Sequence, residues 1–132
     1  MLHHISFGVS DLARSGAFYD AILEPLGYFR VWQDLRPGER HQAIGYGFVL
    51  GEDKFTIKER HSAGLAPGQG FHLAFSALSK QAVDEWHASG LSLGAADRGA
   101  PKIWDDFGPD YYAAYLTDPD GWQLEAVFKG SN

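Results

Sequence analysis

The sequence of 132 residues contains no cysteine. This absence excludes disulfide bonds, a thiolate nucleophile and a zinc site built on cysteine ligands. No stretch approaches the roughly 20 apolar residues that a membrane-spanning helix needs. The first residues also lack the basic segment and apolar run of a secretory signal, so we expect a cytoplasmic protein.

Positive charge is scarce as well. The chain carries 11 lysine and arginine residues against 17 aspartate and glutamate residues, for a net charge of −6. Because no basic cluster is present, we expect neither nucleic acid nor an anionic membrane as the main partner, while an anionic small-molecule substrate stays possible, since the local charge in a cleft can oppose the net charge. A composition that is 45% hydrophobic and 14% aromatic suffices for the core of one domain, covering residues 1–132.

The most informative feature that is present is an internal repeat. His4-Ile5-Ser6-Phe7-Gly8 is matched by His72-Leu73-Ala74-Phe75-Ser76, an offset of 72 − 4 = 68 residues. The segment 62–70 between the two copies contains glycine and proline and predicts a linker. We therefore expect two modules, about 1–61 and 71–130, joined by that linker.

Hydrophobic periodicity and turn residues predict the same order of elements in each module, strand–helix–strand–strand–strand, and hence an α+β fold. The first helix begins at Ser10 or Asp11 and ends at Pro25 and Gly27, and the second begins at Ser79 and ends near Gly90. The predicted strands include residues 5–9, 29–33, 43–50, 54–58, 72–77, 111–117 and 122–128. Neither module can bury its apolar face alone, so the two should pair within one chain or between two.

Three candidate metal ligands share the face of the strands that the helices do not cover. If Phe7 and Phe75 pack against the helices, alternation puts His4 and His72 on the opposite face, and Glu125 on the last strand has the same phase. Two imidazoles and one carboxylate leave coordination positions open for substrate. Such a site suits Fe(II), Mn(II), Ni(II) or Zn(II), with Glu125 also a candidate catalytic residue.

Five further residues are candidates for contacting substrate. Lys58 is placed to pair with an anionic group, and Tyr46 and His41 lie in or beside a first-half strand that would line the pocket. Tyr111 and Tyr112 are adjacent in one strand, so one of them should face the cleft and the other the core. The histidines at 61 and 87 are expected at the surface.

These segments resemble the vicinal oxygen chelate superfamily, which includes glyoxalase I, bleomycin- and fosfomycin-resistance proteins and extradiol dioxygenases. The resemblance spans nearly the whole chain and rests on residues 4–12 (HISFGVSDL), 18–19 (FY), 26–27 (LG), 72–75 (HLAF) and 118–125 (DPDGWQLE). It implies two βαβββ modules pairing into a partly closed mixed sheet with a concave cleft. It also implies that His4, His72 and Glu125 occupy the metal positions.

The function that the resemblance implies is that of a metal-dependent enzyme acting on a small oxygen-chelating substrate. Isomerase or lyase chemistry, thiol transfer and dioxygenation all remain open. Within the superfamily that this chain resembles, glyoxalase I has a four-ligand site, and its extra glutamate lies on the fourth strand of the first half. Here Thr56 and Lys58 hold the cleft positions of that strand, and neither is a good ligand, which disfavours glyoxalase I.

Two other functions compete with the enzyme. One is a non-catalytic protein that sequesters a drug or metabolite, as bleomycin-resistance proteins do. The other is a metal-free scaffold in which the three residues hydrogen-bond one another. The resemblance further implies a homodimer, with the site formed either within one chain or across two.

Overall fold

The computed structural model describes residues 1–39, 41–61 and 65–130. Within them, each half of the chain has the predicted order of one strand, one helix and three strands. The first half contains β1 (Ile5–Val9), α1 (Leu12–Leu23), β2 (Phe29–Asp34), β3 (Ala43–Val49) and β4 (Glu52–Glu59). The second contains β5 (Leu73–Ser76), α2 (Lys80–Ser92), β6 (Ala96–Ile103), β7 (Tyr111–Thr117) and β8 (Gln123–Lys129). Part of the predicted linker, 62–64, lies outside the described residues.

The strands form two four-stranded sheets of identical topology. Sheet 1 has the order β1-β4-β3-β2 and sheet 2 the order β5-β8-β7-β6. In each, the first strand runs parallel to the last strand of its module, and the other pairs are antiparallel. The predicted α+β class and the two βαβββ modules are thus confirmed.

Local signals account for both helices. Asp11, one of the two predicted caps, begins α1 by accepting a hydrogen bond from the backbone N–H of Arg14, and Ser79 does the same for α2. A short 3₁₀ turn containing Pro25 follows α1, and Gly27 ends it with a φ of 89°. That left-handed conformation favours glycine.

The core lies between the sheets, on the side that carries the two packed helices. Phe7, Phe75 and Leu124 are buried there, as strand alternation predicts. The ring of Phe7 from the first module stacks on Trp122 from the second, with centroids 3.8 Å apart. No helix in the described part of the chain is long and apolar enough to cross a membrane.

A buried polar clasp also joins the two modules on this side. The Tyr19 hydroxyl on α1 donates to the carboxylate of Asp118 at 2.5 Å, and the indole N–H of Trp122 donates to the carbonyl of Gly8 at 2.8 Å. Asp118 is 4% exposed and accepts two further backbone N–H groups from its own turn. Because the clasp and the helices hold the modules together through their inner faces, the outer faces of both sheets point away from the core.

Candidate functional site

The candidate site lies on the outer face of sheet 2, around Glu125. Leu124 and Ala126 pack into the core, so the alternation of β8 directs Glu125 to the other face. There the Glu125 side chain is 2% exposed, and Oε1 of its carboxylate lies 2.9 Å from Nε2 of His72. The structure thus brings together two of the three predicted metal ligands.

Two tyrosines on β7 surround the same carboxylate. The Tyr111 hydroxyl donates a hydrogen bond to Oε2 of Glu125, while Tyr115 is the residue directly opposite Glu125 in the β7–β8 ladder. Burial and the neighbouring Glu125 raise the pKa of Tyr115 to about 12. Burial and the hydrogen bond to Glu125 raise the pKa of Tyr111 as well. Both hydroxyls therefore stay protonated at neutral pH and can compensate the buried charge.

Sequence reasoning missed Tyr115, although a signal for it was present. The turn at 118–121 sets the register of the hairpin, so Thr117 pairs with Gln123 and Tyr115 must then pair with Glu125. Tyr115 also lies four residues after Tyr111 and so shares its face of the strand.

These side chains line a cavity of about 430 Å³. Its walls combine aromatic rings with a few charged groups: His72, Arg98, Trp104, Asp106, Phe107, Tyr111, Tyr115 and Glu125. Trp104 is fixed by a 2.8 Å hydrogen bond from its indole N–H to the carbonyl of Ala113 and by an edge-to-face contact with Tyr115. Apolar walls around a few convergent polar groups are typical of small-molecule sites of this size.

His4, the third predicted ligand, lies on the outer face of sheet 1. On this face its neighbour is Asp53. Burial acts to raise the pKa of the Asp53 carboxyl, but hydrogen bonds from Thr56 and Trp32, together with the nearby His4, lower that pKa overall. His4 is exposed and lies in a different cavity from His72. Within the described ranges of one chain, no three histidine, aspartate or glutamate side chains come close enough to hold a metal.

Thr56 stands at the position in sheet 1 that Glu125 holds in sheet 2. Ser6 pairs with Thr56, and its counterpart in the repeat, Ala74, pairs with Glu125. The Thr56 hydroxyl donates to Asp53 at 2.6 Å, and the side chain is 1% exposed. The first module therefore has a hydroxyl where the second has its carboxylate.

Two of the five candidates for contacting substrate have side chains that point toward the helices. This contradicts the placement of Tyr46 in the pocket, whereas for Tyr112 it agrees with the expectation that one of the two adjacent tyrosines faces the core. Tyr112 donates to Asp84 on α2 at 2.6 Å, so Tyr111 is the member of the pair that faces the cavity. Tyr46 is buried against α1 and donates to Asp20 at 2.9 Å. In both cases the phase of the strand relative to its helix decides the direction.

The other predicted contacts lie away from Glu125. His41 is exposed, has a φ of 68°, and lines a larger cavity of about 670 Å³ with His61 and Glu59. Lys58 lies opposite Gly8 in sheet 1 with the phase of Thr56, and its contact with substrate stays a prediction. The expectation that His87 is a surface residue is wrong. It is 7% exposed because α2 packs over β6, where its Nε2 meets Asp97 at 3.0 Å.

Comparison with known proteins gives a consistent result. The sequence model of the Glyoxalase/Bleomycin resistance protein/Dioxygenase superfamily matches residues 1–126. The uncharacterized protein YqjT of Bacillus subtilis is 29% identical over 133 residues, covering 96% of this chain and 97% of that protein.

Solved structures agree with that match. A glyoxalase/bleomycin resistance protein from Albidiferax ferrireducens is similar with a TM-score of 0.77 and 29% identity, covering 98% of this chain and 99% of that one. The fosfomycin resistance protein FosX from Listeria monocytogenes shares the fold, with a TM-score of 0.67 and 20% identity over 98% of this chain and 93% of its own.

Proposed function

Because the chain belongs to the glyoxalase/bleomycin resistance protein/dioxygenase superfamily, we propose that it is a metal-dependent enzyme acting on a small substrate with two neighbouring oxygen atoms. The contact between His72 and the buried Glu125 carries this proposal. Burying a carboxylate is costly unless it is paired, and here an exposed imidazole and a tyrosine hydroxyl converge on it. Nitrogen and carboxylate donors suit Fe(II), Mn(II), Ni(II) or Zn(II).

The third ligand of the proposed site comes from a second copy of the chain. The histidines of the repeat immediately precede β1 and β5, which are edge strands of separate sheets. Edge strands present unpaired backbone groups that readily pair with another chain. In the proposed cytoplasmic homodimer, β1 of one copy lies beside β5 of the other, and His4 of the partner subunit joins His72 and Glu125. Two-fold symmetry then gives two equivalent sites.

The chain's own residues orient this site. Tyr111 and Tyr115 hold the Glu125 carboxylate from β7, and the rings of Trp104 and Phe107 form an apolar part of the cavity wall. A divalent ion held there would supply Lewis-acid polarisation of two adjacent substrate oxygens. A further observation supports the proposal: FosX from Listeria monocytogenes, which shares the fold of this chain, has a crystal structure in complex with Mn(II) and a sulfate ion.

Metal stoichiometry tests the proposal. Purified protein is reloaded anaerobically with Fe(II), Mn(II), Ni(II) or Zn(II), and the bound metal per chain is measured beside His72→Ala and Glu125→Ala. We expect one ion per chain in the wild type and none in these two variants. His41→Ala is the matched control, since His41 lies in another cavity and its removal should leave binding intact. Binding no stronger in the wild type than in the variants would overturn the metal site and favour a sequestering protein.

Mixing two inactive variants tests whether the site spans two chains. His4→Ala and Glu125→Ala should each bind no metal alone. After dissociation and random reassociation, half of the dimers are mixed and each has one intact site of two, so about a quarter of the wild-type metal should return. A site formed within one chain would give no recovery.

A further inference from the structure

Arg98 is a cation in the candidate site that the proposed metal centre does not use. It lies on β6, where the pairing with β7 shifts in register between Asp97 and Gly99. Such a bulge redirects side chains. Asp97 reaches α2 through His87 on the inner face, whereas Nε of Arg98 donates to Oγ1 of Thr117 at 3.0 Å. Thr117 has the phase of Tyr115, so the guanidinium lies on the face that carries Glu125.

The guanidinium is held at one end only. Thr117 is itself anchored by a 3.0 Å hydrogen bond from its hydroxyl to Gln123. Among the described residues, the two terminal nitrogens of Arg98 have no hydrogen-bond partner, and Arg98 forms no salt bridge. Arg30 and Arg36, in contrast, each place their guanidinium on a carboxylate, of Asp20 and Asp34 respectively.

The position of Arg98 relative to Glu125 sets a length for any ligand that touches both. The Thr117–Gln123 pair is two residues along the ladder from the Tyr115–Glu125 pair. At about 3.3 Å per residue along a strand, the Thr117–Gln123 pair, which holds Arg98, is roughly 7 Å from the Tyr115–Glu125 pair. Both Arg98 and Glu125 line the same cavity. Besides Glu125, the acidic side chain lining that cavity is Asp106, which makes no ion pair with Arg98 among the described residues.

We propose that Arg98 binds an oxyanionic group of the substrate, a carboxylate, phosphate or phosphonate, while the apolar part of the substrate packs against Trp104 and Phe107. The planar fork of a guanidinium matches two oxygens of such a group, and charge-assisted hydrogen bonds of this kind are among the strong ones. This inference rests on the proposed function, because it places the anion in the cavity of the metal site. It adds a substrate class to that site, namely small anions with an apolar portion.

Calorimetric titration with defined probes tests the inference. Phenylphosphonate and benzoate represent the two kinds of oxyanion, and benzyl alcohol is the neutral probe. In metal-free protein, Arg98→Gln should weaken binding of the preferred oxyanion roughly 10-fold or more and leave benzyl alcohol unchanged. Lys102→Gln is the control for loss of one nearby positive charge. Nζ of Lys102 lies 4.2 Å from the centroid of the Trp104 ring, but Lys102 does not line this cavity. Its replacement should therefore change oxyanion affinity less than about 2-fold.

A second variant keeps the test valid if Arg98→Gln does not fold. Arg98→Lys retains the charge but loses the fork, so it should bind the preferred oxyanion several-fold more weakly than the wild type does. Equal oxyanion affinity in the wild type and the folded Arg98 variant, or equal losses in the Arg98 and Lys102 variants, would overturn the inference.

Repeating the titrations with Mn(II) separates this inference from the proposed function. Oxyanion binding that depends on Arg98, in a protein that takes up no metal, would support the anion subsite and overturn the metal enzyme. Normal metal uptake with oxyanion binding indifferent to Arg98 would do the reverse.

Discussion

The two modules place different side chains at equivalent points of the same sheet face. In sheet 1, three residues pair side by side across β2, β3 and β4, namely Trp32, Gly45 and Thr56. The equivalent row across β6, β7 and β8 of sheet 2 consists of Gly99, Tyr115 and Glu125. The large ring has moved from the edge strand to the next one, and the hydroxyl has been replaced by a carboxylate. Thus the same backbone pattern supports a sheet face on which the Trp32 ring covers Gly45 in the first module, which we call the filled surface. In the second module it supports a cavity lined by the Glu125 carboxylate.

The link between each helix and its edge strand shows the same divergence. In the first module Asp20 on α1 accepts from Arg30 on β2 at 2.8 Å, and in the second His87 on α2 meets Asp97 on β6 at 3.0 Å. The carboxylate has changed sides. The comparison teaches that the repeat preserves strand order and core packing, whereas the polar side chains that determine chemistry are particular to each module.

The largest expected effect comes from giving the second module the side chain of the first. Glu125→Thr should lower Mn(II) affinity by more than about 100-fold, because loss of a ligand exceeds the 10–100-fold typical of losing its hydrogen-bond partner. Calorimetry would measure it. Thr56→Ser is the matched control, since it keeps the bond to Asp53 and should keep the affinity. Undiminished Mn(II) binding by Glu125→Thr would remove Glu125 from the ligand set.

The next largest effect tests the filled surface of the first module. A Cβ at Gly45 would lie 2.3 Å from Nε1 of Trp32, so Gly45→Ala should lower the free energy of unfolding by about 1–3 kcal/mol. Gly68→Ala, where a Cβ meets nothing within 4 Å, should stay within about 0.5 kcal/mol of the wild type. Urea denaturation gives both values.

A double-mutant cycle sharpens that result. If the clash with the indole is the cause, Trp32→Ala should relieve part of the cost of Gly45→Ala, giving a non-additive pair. Strictly additive costs would place the strain elsewhere.

A smaller effect separates the two adjacent tyrosines. Tyr111→Phe removes the hydroxyl that holds Glu125 and should lower metal affinity about 10-fold. Tyr112→Phe deletes a hydroxyl that bonds Asp84 on the other side of the sheet and should leave metal affinity within about 2-fold. Equal losses of metal affinity in Tyr111→Phe and Tyr112→Phe would mean that the hydrogen bond from Tyr111 to Glu125 has no specific effect on metal binding.

The smallest effect concerns pH and the link between α2 and β6. The hydrogen bonds from His87 and from the backbone N–H of Gly99 lower the pKa of Asp97 below its usual value. Asp97 therefore contributes stability above its unfolded pKa of about 3.9, and the contribution is lost as the pH falls through the lower folded value. Asp97→Asn should flatten the acid limb of stability against pH only slightly, because the side chain is 51% exposed. Asp105→Asn, an exposed carboxylate in the same module, is the control, and a larger flattening in it would contradict this assignment.

Much of the fold could be predicted from the sequence because local patterns determine it. Alternation placed Phe7, Phe75 and Leu124 on the helix side, and caps and turn residues located the helices. The same alternation placed Glu125 and His72 on one face. It could not show how the two modules pack, because packing of α1 against α2 depends on contacts far apart in sequence. For that reason the position of His4 relative to His72 was open.

The errors and omissions have equally local causes. Tyr46 was misplaced because β3 is irregular beside it, which leaves the phase of the strand undetermined. Two adjacent tyrosines, Tyr111 and Tyr112, likewise left open which of them faces the cavity. The burial of His87 was missed because α2 buries a wide stripe of residues against three strands, β6, β7 and β8. Arg98 had no signal, since β6 reads ADRGAPKI, with glycine, proline and a register shift in place of alternation.

The clasp between the modules has a consequence for the order in which the chain folds. Tyr19 and Asp118 are 99 residues apart, and Gly8 and Trp122 are 114 apart. While the chain is being synthesised, Phe7 and Tyr19 of the first module can contact Phe55, but they lack their partners Trp122 and Asp118 until the hairpin of β7 and β8 emerges. Contacts of such separation form late and slow the folding of small domains. The two modules should therefore gain and lose their structure as one cooperative unit, despite being copies of one pattern.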